Sequence, residues 1–194
     1  QTLRDLEALQ TSGLARQLQN YAGANGRVFG ICGGLQLLGR ELHDPEGLEG
    51  AGSGTGSASG LNLLPLRTVF GGTKALRQRS STAHWPPNEG GEPLQLEGFE
   101  LHRGSTTALE PCLPLCADAE LGWVHGPVAG TYLHGVFESG PWRRRWLNQL
   151  RARKGLPMLS ERQPHHRRQR EALLDRLADA FEQHVDLDPL LRDT

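Results

Sequence analysis

The chain has 194 residues, 37% of them hydrophobic, and a formal net charge of −1 at pH 7. That length supports one domain with a sizeable core. The near-neutral charge removes any bulk electrostatic case for nucleic acid, and no apolar run is long enough to span a membrane, so neither is expected as a partner.

Thr2 is placed to cap a first helix whose apolar face is Leu3, Leu6 and Leu9. Gly13 interrupts it, and Leu14 to Tyr21 continues helically up to a turn at Gly23-Ala24-Asn25-Gly26. Val28 to Ile31 reads as a short buried strand and Leu35 to Leu42 as a helix, ended by His43-Asp44-Pro45. Glu46 to Gly60, rich in Gly, Ser and Ala, reads as a linker. Its Gly52-Ser53-Gly54-Thr55-Gly56 lacks the preceding strand and the following lysine of a phosphate cradle. Strands are expected over Leu64 to Phe70 and Leu94 to His102, with a polar surface loop from Ser80 to Gly91 between them. Trp123 to His125 and Val128 to His134 suggest a hairpin around Gly126-Pro127. Pro141 opens a helix and Gly155 closes it, with Trp142 and Trp146 packing inward. A last helix sets Leu173, Leu177, Phe181 and His184 on one face.

One stretch carries chemistry. Val28-Phe29-Gly30-Ile31-Cys32-Gly33-Gly34-Leu35-Gln36 places a cysteine where a strand turns sharply into a helix. Such an elbow holds its apex residue strained and exposed, and flanking glycines let the backbone approach closely. The following helix N-terminus favours thiolate, and the Gly33 N–H is placed to bind an oxyanion. A buried core cysteine is the common alternative for a lone Cys. A cysteine nucleophile needs a base, and Gly130-Thr131-Tyr132-Leu133-His134-Gly135 ends a β-rich run in His-Gly. A histidine at a strand end can reach another strand end, take a thiol proton and later protonate a leaving group. The geometry expected is hydrogen-bond reach between Cys32 and His134, directly or after a small closure.

Gly30 to Gln36 followed by Gly130 to Ser139 resembles the class I glutamine amidotransferases. Gly98-Phe99-Glu100-Leu101-His102-Arg103-Gly104 and Gly60 to Leu66 running into Thr68-Val69-Phe70 narrow the likeness to the amidotransferase part of the cobyric acid synthase family. The resemblance runs from about Thr2 to the last helix. It implies an α/β, flavodoxin-like three-layer fold, incomplete at its N-terminal side. It implies attack of Cys32 on the carboxamide of glutamine, release of ammonia, and hydrolysis of a glutamyl thioester by water that His134 activates. Gln36 matches a family glutamine beside the substrate, and His102 lies in a family motif near the same pocket. No cofactor is implied in this domain. ATP and magnesium belong to a separate synthetase domain, where the ammonia amidates corrinoid side-chain carboxylates in the cytoplasm.

Two departures stand out. Val136 occupies the place where most class I enzymes have a glutamate completing a triad; Glu138, four residues after His134, is more simply explained as favouring the next helix N-terminus. The family loop supplying part of the oxyanion hole precedes the region matched by Gln1, so the chain alone is expected to be a poor glutaminase. The rival readings are the glutaminase of a cobyrinate a,c-diamide synthase or of a lipid II amidating complex, and a catalytically silent docking domain.

Three cysteines without a pairing pattern and an N-terminus without an apolar signal region suit a reducing cytoplasm. Cys112 and Cys116 lack further ligands at metal spacing and read as loop cysteines, so no metal is expected. Arg143 to Arg145 and His165 to Arg168 read as charged helix faces.

Overall fold

The computed structural model describes residues 1–49, 56–87 and 92–185. Helices α1 (Thr2–Thr11) and α2 (Leu14–Gly23) are separated where Gly13 takes φ 78°, a conformation that costs glycine little. Leu6 is buried, and Leu3 and Leu9 pack beside it. Thr2 is not the cap. It is the first helical residue, and its N–H donates to Glu49 Oε2 at 2.8 Å, so an acceptor far along the chain satisfies this helix end.

Strand β1 (Val28–Ile31) leads through Cys32 into α3 (Gly33–Leu38). The strand is only half-buried, with Ile31 exposed, because it forms one edge of its sheet. The helix expected to reach Leu42 stops earlier. Gly39 turns extended, and Glu41–Asp44 becomes strand β2, in which Leu42 and Asp44 alternate inward. The buried Asp44 carboxylate accepts the N–H groups of Leu48 and Glu49, both at 2.8 Å, which fixes the loop carrying Glu49.

The linker expected over Glu46 to Gly60 contains strand β3 (Gly56–Ser59), paired antiparallel with β2. Most of the glycine-serine run at 52–56 lies outside the described residues. Next come β4 (Leu66–Val69), β5 (Ala75–Thr82), β6 (Gln95–His102), β7 (Ser105–Ala108), β8 (Leu113–Pro114), β9 (Gly122–His125), β10 (Val128–Thr131) and β11 (Leu133–His134). Helices α4 (Gly140–Arg153) and α5 (His166–His184) follow. The surface loop expected from Ser80 is also corrected. Ser80 to Thr82 belongs to β5, and Trp85 is buried in an aromatic cluster with Phe29, Phe137, Trp142 and Trp146.

Among the described residues the strands form three small sheets, ordered β1-β10-β9-β8, β11-β6-β5 and β3-β2-β4-β7. β1 pairs parallel with β10, and β2 with β4; the other pairs are antiparallel. The run Val128 to His134 is therefore two strands in two sheets. The fully buried Thr131 makes the break: its hydroxyl donates to Leu121 O at 2.6 Å and accepts from Leu133 N at 3.0 Å, in place of ladder bonds. The α/β class holds, and the three sheets and five helices among the described residues are consistent with a flavodoxin-like class I glutamine amidotransferase fold. Helix α5 forms as expected, but Leu173, Leu177 and Phe181 are all exposed.

Candidate active site

Two glycines let the elbow form. A Cβ on Gly30 would come within 2.7 Å of the Gly34 and Leu35 backbone, and one on Gly130 within 2.5 Å of the Leu35 side chain. Helix α3 therefore lies directly against β1 and β10, and only glycine fits beneath it. The Gly33 and Gly34 positions are open by comparison. Cys32 sits at the turn with φ 54° and ψ −116°, in the sparsely populated region that few non-glycine residues adopt. Its N–H donates to Thr131 O at 2.8 Å, which carries the β1–β10 pairing one residue into the turn.

The sulfur is half-buried. Cys32 Sγ donates to Leu101 O at 3.1 Å, the carbonyl of the peptide that joins Leu101 to His102. Burial pushes the thiol above its ordinary range, while a hydrogen bond from the Gly33 N–H and the Lys74 ammonium pull the other way. The lowering expected from the helix N-terminus is thus present but smaller than the cost of desolvation.

Cys32 opens into a cavity of about 360 Å³ shared with Gly33, Gln36 and His102. Asp5 and Glu49 bring acid to its wall, and Lys74 and Arg103 bring base. Gln36 is buried, and its amide donates to Arg103 O at 3.3 Å and to the Tyr132 hydroxyl at 3.2 Å. It braces the elbow against β6 and Tyr132. Tyr132 in turn bonds the Thr106 hydroxyl at 2.6 Å, and burial raises its phenol above the ordinary range.

Of the expected pair, Cys32 and His134 make no hydrogen bond. The His134 ring stacks on Phe99 at 4.7 Å and 5°, and its Nε2 is buried with no partner among the described residues. His134 lines a different cavity, of about 310 Å³, with Glu138, His165, Arg167 and Arg168. Its neighbour in the ladder is Phe99, while Glu100 pairs with Leu133. Strand alternation therefore puts Phe99 and His134 on one face of β6, and Glu100 and His102 on the other. Glu138 bonds neither His134 nor the start of α4 through its side chain among the described residues.

Two residues that hold His102 in the cavity wall were not singled out in the sequence, Glu100 and Tyr132. Glu100 Oε1 bonds His102 Nε2 at 2.8 Å, and the Tyr132 ring stacks on the His102 ring at 3.6 Å and 18°. The signal for Glu100 was its spacing of two from His102 on a strand, which brings both side chains to one face. Nothing in the sequence announced Tyr132, since the stacking requires a contact between β6 and the segment after β10. The loop reading of the remaining cysteines holds only in part: Cys116 is fully buried, bridged to the segment after β5. Arg145 likewise leaves the exposed face expected of it and is buried against Glu161, 2.8 Å away. Among the described residues, no group of three or more His, Cys, Asp or Glu side chains is arranged to hold a metal ion, and no helix is long and apolar enough to cross a membrane.

Residues 1–142 match the model of the CobB/CobQ-like glutamine amidotransferase domain. The cobyric acid synthase of Synechococcus sp. (strain WH7803) is 64% identical over 199 residues, which cover 98% of this chain and 40% of that protein. The cobyric acid synthase of Synechococcus sp. (strain RCC307) is 66% identical, covering 100% of this chain and 38% of that protein. That of Nostoc sp. (strain PCC 7120 / SAG 25.82 / UTEX 2576) is 46% identical, with coverages of 98% and 38%. The chain thus spans about 40% of the length of these curated relatives. With the strained cysteine elbow and its cavity formed by the matched residues, the chain belongs to the CobB/CobQ-like glutamine amidotransferase domain family.

Proposed function

We propose that this chain hydrolyses glutamine and supplies the ammonia for amidation of corrinoid carboxylates. The observation that carries the reading is Cys32, a non-glycine residue held at φ 54° between a strand and a helix, at the mouth of a cavity. A nucleophile in that position reaches a substrate carbonyl while the backbone N–H after it meets the developing oxyanion. Cys32 attacks the side-chain carboxamide, ammonia leaves, and a glutamyl thioester remains on the sulfur. His134 turns off Phe99 and activates the water that releases glutamate.

The cavity wall suits this substrate. An α-amino acid is a zwitterion, and the wall offers the acids Asp5 and Glu49 and the bases Lys74 and Arg103. Gly33, Gln36 and His102 form the surface against which the carboxamide lies. The relatives' name, cobyric acid synthase, supports a corrinoid as the final acceptor rather than a cell-wall lipid. ATP and magnesium act in a synthetase part of the kind that the greater length of those relatives allows.

The test is ammonia release from glutamine by the intact gene product. Cys32→Ser should lower it by roughly 10³-fold or more, as loss of a covalent nucleophile does. Unchanged turnover would remove Cys32 as the nucleophile, and no ammonia release from the wild-type protein would leave the docking-domain reading in its place.

A further inference from the structure

A third cavity, of about 500 Å³, lies at the other end of β1 from Cys32. Its apolar wall is Trp85, Pro87, Leu113 and Val124. Strand β8 is the outer strand of its sheet, and Leu113 stands opposite Val124 in the ladder, so both side chains reach one face of the pair. Trp85 and Val124 are buried, whereas Leu113 is exposed. The polar side chains on the wall are Arg27, His84 and Gln149, and among the described residues no carboxylate lines it. The Arg27 guanidinium lies over the Trp85 ring, 5.9 Å from its centre. It is half-buried and forms no ion pair among the described residues. Burial, and after it the charge of Arg153, pull Arg27 below its ordinary value. Arg27 Nε and Gln149 Oε1 are both buried without a hydrogen-bond partner among the described residues. Covering a cation without a counter-ion is unfavourable, and the indole face offsets only part of that cost. Arg79 and Arg145 meet the same difficulty with carboxylates, from Glu100 and Asp118 and from Glu161.

We propose that this cavity is a second binding site, for a small organic anion that carries a carboxylate on a flat apolar body. The carboxylate takes the place of the missing counter-ion on Arg27, where a planar guanidinium accommodates two parallel hydrogen bonds. The apolar body lies against Trp85, Leu113 and Val124, which removes the exposed Leu113 side chain from water. Glutamine itself does not fit, because its ammonium would face Arg27 with no acid beside it, unlike the Cys32 cavity with Asp5 and Glu49. The length of β1, roughly 15 Å at the rise of an extended chain, separates the two sites. The inference therefore goes beyond the glutaminase reading and holds or fails independently of it.

Isothermal titration calorimetry of the intact gene product tests this with two probes of one shape, the anion naphthalene-2-carboxylate and the neutral naphthalen-2-ylmethanol. The anion should bind saturably with a Kd of about 1 mM or tighter, as expected for a ligand of that size. The neutral alcohol should bind roughly tenfold more weakly or less, for want of the charge-assisted pair. Arg27→Gln should weaken the anion by about tenfold or more and leave the affinity of the alcohol in place. Leu113→Asn should weaken both probes, by roughly threefold to tenfold, since each loses the same apolar contact. Absence of saturable binding of the anion would overturn the proposal, as would equal affinity for the two probes. A folded Arg27→Gln protein that binds the anion as the wild type does would also overturn it. Where Arg27→Gln does not fold, Leu113→Asn decides, and an unchanged affinity for the anion overturns it.

Discussion

Three cysteines share one chain, and their surroundings separate them. Cys32 is half-buried on a cavity, Cys116 is fully buried, and burial together with Glu110 raises the Cys112 thiol. A glutamine analogue bearing an electrophilic diazoketone should therefore label Cys32 and spare the other two, read by peptide mass spectrometry; label on Cys112 or Cys116 would remove Cys32 as the nucleophile. The same groups set an alkaline limit on stability. Burial raises Cys32, Cys112, Cys116 and Tyr132 in the folded chain. An acid with a raised folded-state pKa ionises first in the unfolded state, so its contribution is complete below the unfolded value and lost as pH rises through the folded one. Urea midpoints should stay level through neutrality and fall from about pH 8.5, the ordinary thiol value, towards and beyond pH 10, the ordinary tyrosine value.

The pairing of β11 with β6 positions His134, and Gly98 is its weak point. A Cβ there would lie 1.9 Å from the His134 carbonyl oxygen, a backbone atom that cannot move alone. Gly98→Ala should force the two strands apart, costing about 1–3 kcal/mol of stability in urea melts and lowering glutamine turnover with it. Gly98→Ala with turnover unchanged would mean that His134 need not hold this place. The loop after β2 depends on Asp44 in a similar way. Removing that carboxylate orphans the N–H groups of Leu48 and Glu49, and Glu49 caps α1 beside the cavity. Asp44→Ala should cost about 1–3 kcal/mol, and faster amide exchange over α1 should accompany the loss.

Aromatic packing joins the parts of the fold on one side of β1. Trp142 is fully buried, lies 5.7 Å from Phe29 and 5.2 Å from Phe137, and its indole N–H donates to Trp85 O at 2.7 Å. It thereby ties α4 to β1 and to the segment after β5. Trp142→Ala should cost about 3–5 kcal/mol, more than any single substitution at the cavity, measured by chemical denaturation. By contrast, α5 contributes little to that core: Leu173, Leu174, Leu177 and Phe181 are all about half exposed.

Local rules were enough for the cysteine elbow, the break at Gly13, the hairpin at Gly126-Pro127 and the helix opened by Pro141. Each rests on residues adjacent in the chain: glycines with special backbone freedom, a proline at a helix start, a run of β-formers. Beyond them, local propensity was overridden. Glu41 and Leu42 fit a helix until a parallel partner, β4, made a strand the better way to bury Leu42. Trp85 sits among polar residues and prolines, and only the cluster around Phe29 shows it to be core. Site membership followed the same division. Cys32 and His134 were singled out by motif, but their separation into two cavities depends on strand alternation along β6 and on the break at Thr131. Glu100 and Tyr132 became visible only once β6 and the end of β10 were brought together. A ring stack or a carboxylate–imidazole bond between distant segments is a product of the fold and has no period in the sequence.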